Sequence, residues 1–339
     1  MPAALRLSVL DQSVNRAGRP QDESIRHTVA LAERCEALGY QRFWLSEHHA
    51  LPTLVGTAPE ILMAAIAART QRIRIGSAGV MLPHYSPFKV AEQFRVLDAL
   101  APGRIDLGVG RAPGSDQRTA LLLNPDLRSA ASFPQQVQEL HAWVTGQALP
   151  ADHPGHGVNA LPMGATAPQL WMLGSSGYGA QLAAHFGLPY AFAHFITDGE
   201  GCGQALELYR SAFRPGLLEQ PQAAVCLWAL CAETEEEAWF QFRSRERTKV
   251  DRRSGRFGPL MPPEEAQREY APGEQLEAQA LRHNAIVGSA RQVREKLEAL
   301  AHQWSIDEIV VVTWTWDPAA QRRSYELLAQ AFGMAGTVC

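Results

Sequence analysis

Glu47-His48-His49 stands where an apolar segment, Phe43 to Leu45, runs out, and it holds the most reactive side chains of the chain. A histidine at such a position can take up or release a proton near neutral pH. Neighbouring His and Glu are also metal ligands, although a strand points adjacent side chains to opposite faces, which works against one ion taking both. A packed, hydrogen-bonded His pair is the third reading, and the residues alone leave all three open. Gly174-Ser175-Ser176-Gly177-Tyr178-Gly179 joins an apolar segment to a helical one. Free N–H groups and the helix dipole at such a junction favour phosphate, and glycines admit its close approach. Ser175, Ser176 and Tyr178 add hydroxyl donors; a tight turn is the alternative. Arg111 ends another apolar segment and suits bidentate contact with the same anion, or a loop salt bridge to Asp106 or Asp116. The small residues Gly76-Ser77-Ala78-Gly79 make either a close-packed corner or room for a flat ring. Trp228, Trp314 and Trp316 suit a core, an interface or the wall of an apolar pocket.

Two familiar nucleotide loops fail on spacing. In Gly108-Val109-Gly110-Arg111-Ala112-Pro113, Pro113 occupies the place of the third glycine of a dinucleotide fingerprint. The Gly174 loop matches neither that pattern nor a Walker A loop.

The elements that position these residues repeat one unit. Ile73, Ile75 and Ala78 begin a strand; Ser86 is a helix N-cap with Pro87 at the first helical position; Val90, Phe94 and Leu97 share a helix face. Pro102-Gly103 breaks the chain, and Ile105, Leu107 and Val109 alternate as the next strand. Strands are expected at Leu5–Leu10, Phe43–Leu45, from Ile73, at Ile105–Val109, Leu170–Leu173, Tyr190–Ala193, Ala224–Ala232 and Glu308–Thr313. Helices alternate with them, with Gly39 and Gly187 as stops and capping-box patterns at Thr234/Glu237 and Ser289/Gln292. Gly110–Ser132 reads as a long loop, Ala148–Pro168 as an excursion, and Asp251–Glu274 as a charged stretch of little periodicity. Eight βα units predict a (β/α)8 TIM barrel with insertions at the C-terminal mouth, in a single domain spanning 1–339; a doubly wound open sheet is the alternative. In a barrel the reactive residues collect just past the strands, which is where those above fall.

Composition narrows the function. With 31 basic and 35 acidic residues the net charge is -4, which gives no basic face for nucleic acid. No apolar run is long enough to span a membrane, and MPAALRLSVLDQ lacks a signal-peptide core. The five cysteines, Cys35, Cys202, Cys226, Cys231 and Cys339, lack metal-site spacing and read as reduced packing residues of a cytoplasmic protein.

Several long motifs in order carry a family resemblance: WLSEHH (Trp44–His49), IGSAGVMLPHYSPFKVAEQF (Ile75–Phe94), PGRIDLGVGRAPGSD (Pro102–Asp116), LGSSGYGAQLAA (Leu173–Ala184), IVGSARQVREKL (Ile286–Leu297) and RSYELL (Arg323–Leu328). Over nearly its whole length the chain resembles the bacterial luciferase-like, flavin-dependent monooxygenases, in particular the luciferase-like branch of enteric bacteria. The resemblance implies FMN at the barrel mouth, reduced by a separate flavin reductase, with F420 as the alternative cofactor. It implies that Arg111, Ser175, Ser176 and Tyr178 hold the phosphate, that the ring lies over a non-prolyl cis peptide at Ala78-Gly79, and that His48 is catalytic. It further implies a lid at Asp251–Glu274, an apolar substrate wall, for which Met81, Phe195 and Trp228 are candidates, no metal, and a homodimer. Activity would be oxidation of a small aldehyde- or ketone-like substrate with O2. F420-dependent hydride transfer and flavin binding without turnover are the rival readings, and a metal-dependent hydrolase resting on Glu47-His48-His49 is a fourth. Light-emitting luciferases carry a cysteine where this chain has Gly110, so luminescence is not implied.

Overall fold

Strands in this chain are short apolar runs buried on both faces, the pattern of a parallel sheet covered by helices. A computed structural model describes residues 5–334. Its strands are β1 (Arg6–Asp11), β2 (Arg42–Leu45), β3 (Arg74–Met81), β4 (Ile105–Gly110), β5 (Gln169–Gly174), β6 (Tyr190–Ala193), β7 (Ala223–Ala232), β8 (Ile286–Ser289) and β9 (Glu308–Val312). Eight of them, β1 to β7 and β9, pair in parallel and close a ring through β6–β7, β7–β9 and β9–β1. The fold is a closed (β/α)8 barrel, as expected, and the open sheet is excluded by that closure.

Strand alternation divides the interior into two cores. Phe43, Ile75, Leu107, Val109, Leu170, Val225 and Ile309 point outward under the helices. Leu10, Trp44, Trp171, Cys226, Trp228, Val310 and Trp314 belong to the inner cluster. The lower barrel is closed by ions and aromatics. Buried Asp106 accepts from Arg42 Nη1 (2.7 Å), Arg74 Nη2 (2.6 Å) and Trp44 Nε1 (2.9 Å), while Glu308 takes Arg42 Nε (2.8 Å) and Ser8 Oγ (2.7 Å). Trp44 packs edge-on against Trp171 above this network. Inside the ring, this network fills the lower end and leaves the C-terminal mouth for a site.

Several expected stops and starts form. Gly39 ends the first helix in the left-handed conformation at φ 87°. Ser86 caps its helix by accepting from Lys89 N, and Ser289 and Gln292 complete a reciprocal capping box. At Thr234 only half of the box forms: the hydroxyl accepts from Glu237 N. Three segments differ from expectation. The long loop contains the helix Gln117–Leu123, capped by Asp116. The charged stretch is helical at both ends, where Glu235–Arg253 runs into it and Pro272–His283 begins inside it. Ile286–Ser289 adds a ninth strand, paired only with the outer half of β7 at Ala229–Ala232. Long β7 thus serves the ring with its first half and a small flap with its second.

Candidate active site

At the C-terminal mouth the strand ends surround one cavity of about 680 Å³. All ten residues expected to act on the cofactor, the proton or the substrate wall line it. His48 enters after β2, and Ala78, Gly79 and Met81 come from β3. Arg111 follows β4, and Ser175, Ser176 and Tyr178 follow β5. Phe195 follows β6 and Trp228 lies on β7.

The floor depends on glycine. The Ala78-Gly79 peptide is cis, and the β3–β4 register shifts between Ala78 and Val80, leaving Gly79 as the extra residue of a bulge. A Cβ on Gly79 would run into Leu173 Cδ1 and lie 2.7 Å from Gly108 O. A side chain is thereby excluded where two strands and the Leu173 side chain converge.

On the β4–β5 side the geometry suits an anion. Ser176 is the N-cap of the helix Gly177–Phe186, but its hydroxyl makes no capping bond, so it and the first-turn N–H groups remain available. The Arg111 guanidinium lies over the Tyr178 ring at 4.1 Å. Neither of its alternative partners is engaged: Asp106 is at the other end of β4, paired with Arg42 and Arg74, and Asp116 accepts from Thr119. Arg111 has no carboxylate partner among the described residues.

The Glu47-His48-His49 triplet, just past β2, splits, with Glu47 and His49 turned to each other and His48 to the cavity. Glu47, almost fully buried, is 2.7 Å from His49 Nε2 and accepts from Tyr85 Oη (2.7 Å) and Met81 N (3.1 Å). It ties the end of β2 to the end of β3. His48 alone of the three lines the cavity, with Nδ1 3.1 Å from Ser46 Oγ and no partner at Nε2 among the described residues. Burial pushes its pKa down to about 4, with the Arg252 and His49 charges acting in the same sense, so the imidazole is neutral at pH 7. The triplet does not converge on one point, and no group of three or more His, Cys, Asp or Glu among the described residues is placed to hold a metal.

One wall was not anticipated. Arg245, Lys249, Arg252 and Arg253, from the helix Glu235–Arg253, also line the cavity. The signal was present as six bases between Arg243 and Arg253, but on sequence such a run reads as a solvated face. Burial pushes Arg245 down to about 10 and Lys249, with Arg245 beside it, down to about 8. Trp228 lies beneath Arg245 at 4.3 Å, and Trp314, whose Nε1 donates to Gln12 Oε1 (3.0 Å), completes an apolar side. Trp316 instead donates to Ala17 O, outside the cavity lining. Cys35, Cys202, Cys226 and Cys231 are free and buried, their thiols pushed up by desolvation; Cys339 lies outside the described residues. No helix among the described residues is long and apolar enough to cross a membrane.

A closed parallel barrel with polar groups gathered at its C-terminal mouth has the architecture of the (β/α)8 enzymes. Within that class the chain belongs to the luciferase-like monooxygenase family, which matches residues 5–308. It is 40% identical to the luciferase-like monooxygenase of Escherichia coli (strain K12), over 95% of this chain and 96% of that one. It is 36% identical to the N-acetyl-S-alkylcysteine monooxygenase of Bacillus subtilis (strain 168), over 96% and 98% respectively. Among solved structures, apo-MsnO8 superposes with a TM-score of 0.88 at 36% identity, covering 97% of this chain and 99% of that one. Two more distant structures share the fold. The oxygenating constituent of 3,6-diketocamphane monooxygenase from Pseudomonas putida, in complex with FMN, has a TM-score of 0.71 at 19% identity, covering 99% of each chain. An F420-dependent secondary alcohol dehydrogenase in complex with an F420-acetone adduct has a TM-score of 0.67 at 15% identity, covering 97% of this chain and 99% of that one.

Proposed function

We propose that this protein is a monooxygenase that uses reduced FMN, delivered by a separate reductase, and O2 to oxidise a small organic substrate. The carrying observation is the single cavity that joins a side-chain-free floor at Gly79, an unpaired arginine beside a serine-bearing helix N-terminus, and a neutral histidine. These residues fit a phosphorylated flat cofactor. Arg111, Ser175, Ser176 and the first-turn N–H groups would hold the phosphate, with charge-assisted bonds where Arg111 takes part. Ala78 and Gly79 would support the ring. Reduced flavin supplies the electrons and the reaction with O2. The chain supplies the rest: His48 Nε2 accepts or returns a proton, and Met81, Phe195 and Trp228 keep water from the reacting centre. The same reading includes a homodimer in the cytoplasm.

The test is oxygen consumption with chemically reduced FMN and a panel of aldehydes and ketones. The relative named for N-acetyl-S-alkylcysteine adds thioethers to that panel. Substrate-dependent product formation is expected. Absence of product throughout, with FMN bound, leaves flavin binding without turnover as the function. Tight binding of F420 and none of FMN makes hydride transfer the reaction instead.

A further inference from the structure

The cationic wall opposite the floor has no role in the reading above. Arg245, Lys249, Arg252 and Arg253 recur at helical spacing and present like charges along one face, an arrangement that is destabilising unless an anion lies against it. The protein supplies too few counter-charges. Among the described residues Asp198 is the only carboxylate within reach of Arg245 (3.6 Å) and Lys249 (3.3 Å), and Arg253 (3.5 Å) shares it. Glu277 engages only Arg253. Arg252 has no carboxylate partner among the described residues, and burial alone accounts for its lowered pKa. Arg245 is 5% exposed, lies over Trp228, and shares its one carboxylate, Asp198, with two other bases. The Trp228 indole N–H beneath it lacks a partner. Arg252 and His48 line the same cavity, and the Arg252 charge lowers the His48 pKa.

We infer that Arg245, Lys249 and Arg252 receive a carboxylate carried by the substrate, with its apolar body against Trp228 and Trp314 and its oxidisable centre toward His48. The inference rests on the proposed function, in which Arg111 and the Ser175-Ser176 loop hold the cofactor's phosphate. The wall is then a second anion site with a separate task. Guanidinium groups suit a carboxylate because two parallel N–H donors match its two oxygens.

The test pairs keto, aldehyde and thioether acids of short to medium chain length with their methyl esters. Binding to the FMN-loaded protein is followed by calorimetry, so the readout does not depend on turnover. At least one acid is expected to bind about tenfold or more tightly than its ester. Arg245→Met, which keeps the stem over Trp228, and Arg252→Gln at the less buried position should each erase most of that preference. FMN affinity in both variants should stay within about threefold of the parent. Equal binding of every acid and ester, or a preference that survives both substitutions, overturns the inference. So does loss of FMN affinity in the variants, which would assign the wall to the cofactor. Failure of the parent protein to bind FMN at all strikes the proposed function instead, and acid-versus-ester binding to the unloaded protein then decides whether the wall is an anion site.

Discussion

His48 is held in place by its neighbours. Ser46 engages Nδ1, Glu47 ties the loop to β3, and Nε2 is left free toward the cavity. If His48 handles the proton, His48→Ala should lower turnover by about 10²–10⁴-fold. FMN affinity should change little, since the proposed phosphate contacts come from β4 and β5. Stopped-flow turnover and FMN fluorescence titration read the two separately, and parallel losses would make His48 part of the binding site. Titration gives an independent check. The folded-state pKa, about 4, lies below the 6.5 of an unperturbed histidine. The unfolded chain therefore binds the proton first as pH falls, and stability is lost from about pH 6.5 down to about pH 4, by at most on the order of 3 kcal/mol for this group. His194, also pushed down to about 4 by burial, contributes in the same direction. His48→Gln should make unfolding midpoints less sensitive to acid across that window; an unchanged slope would mean that His48 is better solvated than its surroundings indicate.

At the scale of elements, the ends of β4 and β5 act together. Arg111 follows one and Ser175-Ser176 the other, and the two strands are direct neighbours through Val109 and Met172. Arg111→Ala should weaken FMN binding by about tenfold or more, the loss of a hydrogen bond to a charged group, while riboflavin, which has no phosphate, should bind almost as before. Equal losses for both ligands would place Arg111 against the ring rather than the phosphate. The helix Glu235–Arg253 shows how an element escapes a reading by periodicity. Beside Ala238, Phe242 and Val250 it buries Ser244, Arg245, Glu246, Arg247 and Thr248, so polar residues interrupt its apolar stripe. The helix Pro272–His283 buries only Ala278 and Leu281, and β8 is four residues long. Neither carries enough apolar pattern to be recognised without its packing partner.

Across the whole molecule, the buried network of Arg42, Asp106, Arg74 and Glu308 closes the lower barrel and leaves the mouth for a site. Asp106→Ala would strand Arg42, Arg74 and the Trp44 N–H, with an expected loss of about 3–5 kcal/mol in denaturant unfolding. An unchanged midpoint would show that water or Glu308 takes over the freed donors. The eight ring strands were legible because each is a short apolar run buried on both faces, and the candidate residues because most lie at or just past the end of such a run. His48, Gly79, Arg111 and Ser175 could thus be named from the sequence by itself, along with the barrel that lifts them to one end. Only the tertiary structure decided which side chains meet. It separated His48 from Glu47 and His49, drew Asp106 away from Arg111, and brought the bases of one helix over the mouth against Trp228. The physical reason is that strand and helix periods act between near neighbours in the chain. Contacts across the mouth arise only when β6, β7, β9 and β1 close the ring, joining residues as far apart in the chain as Arg6 and Glu308.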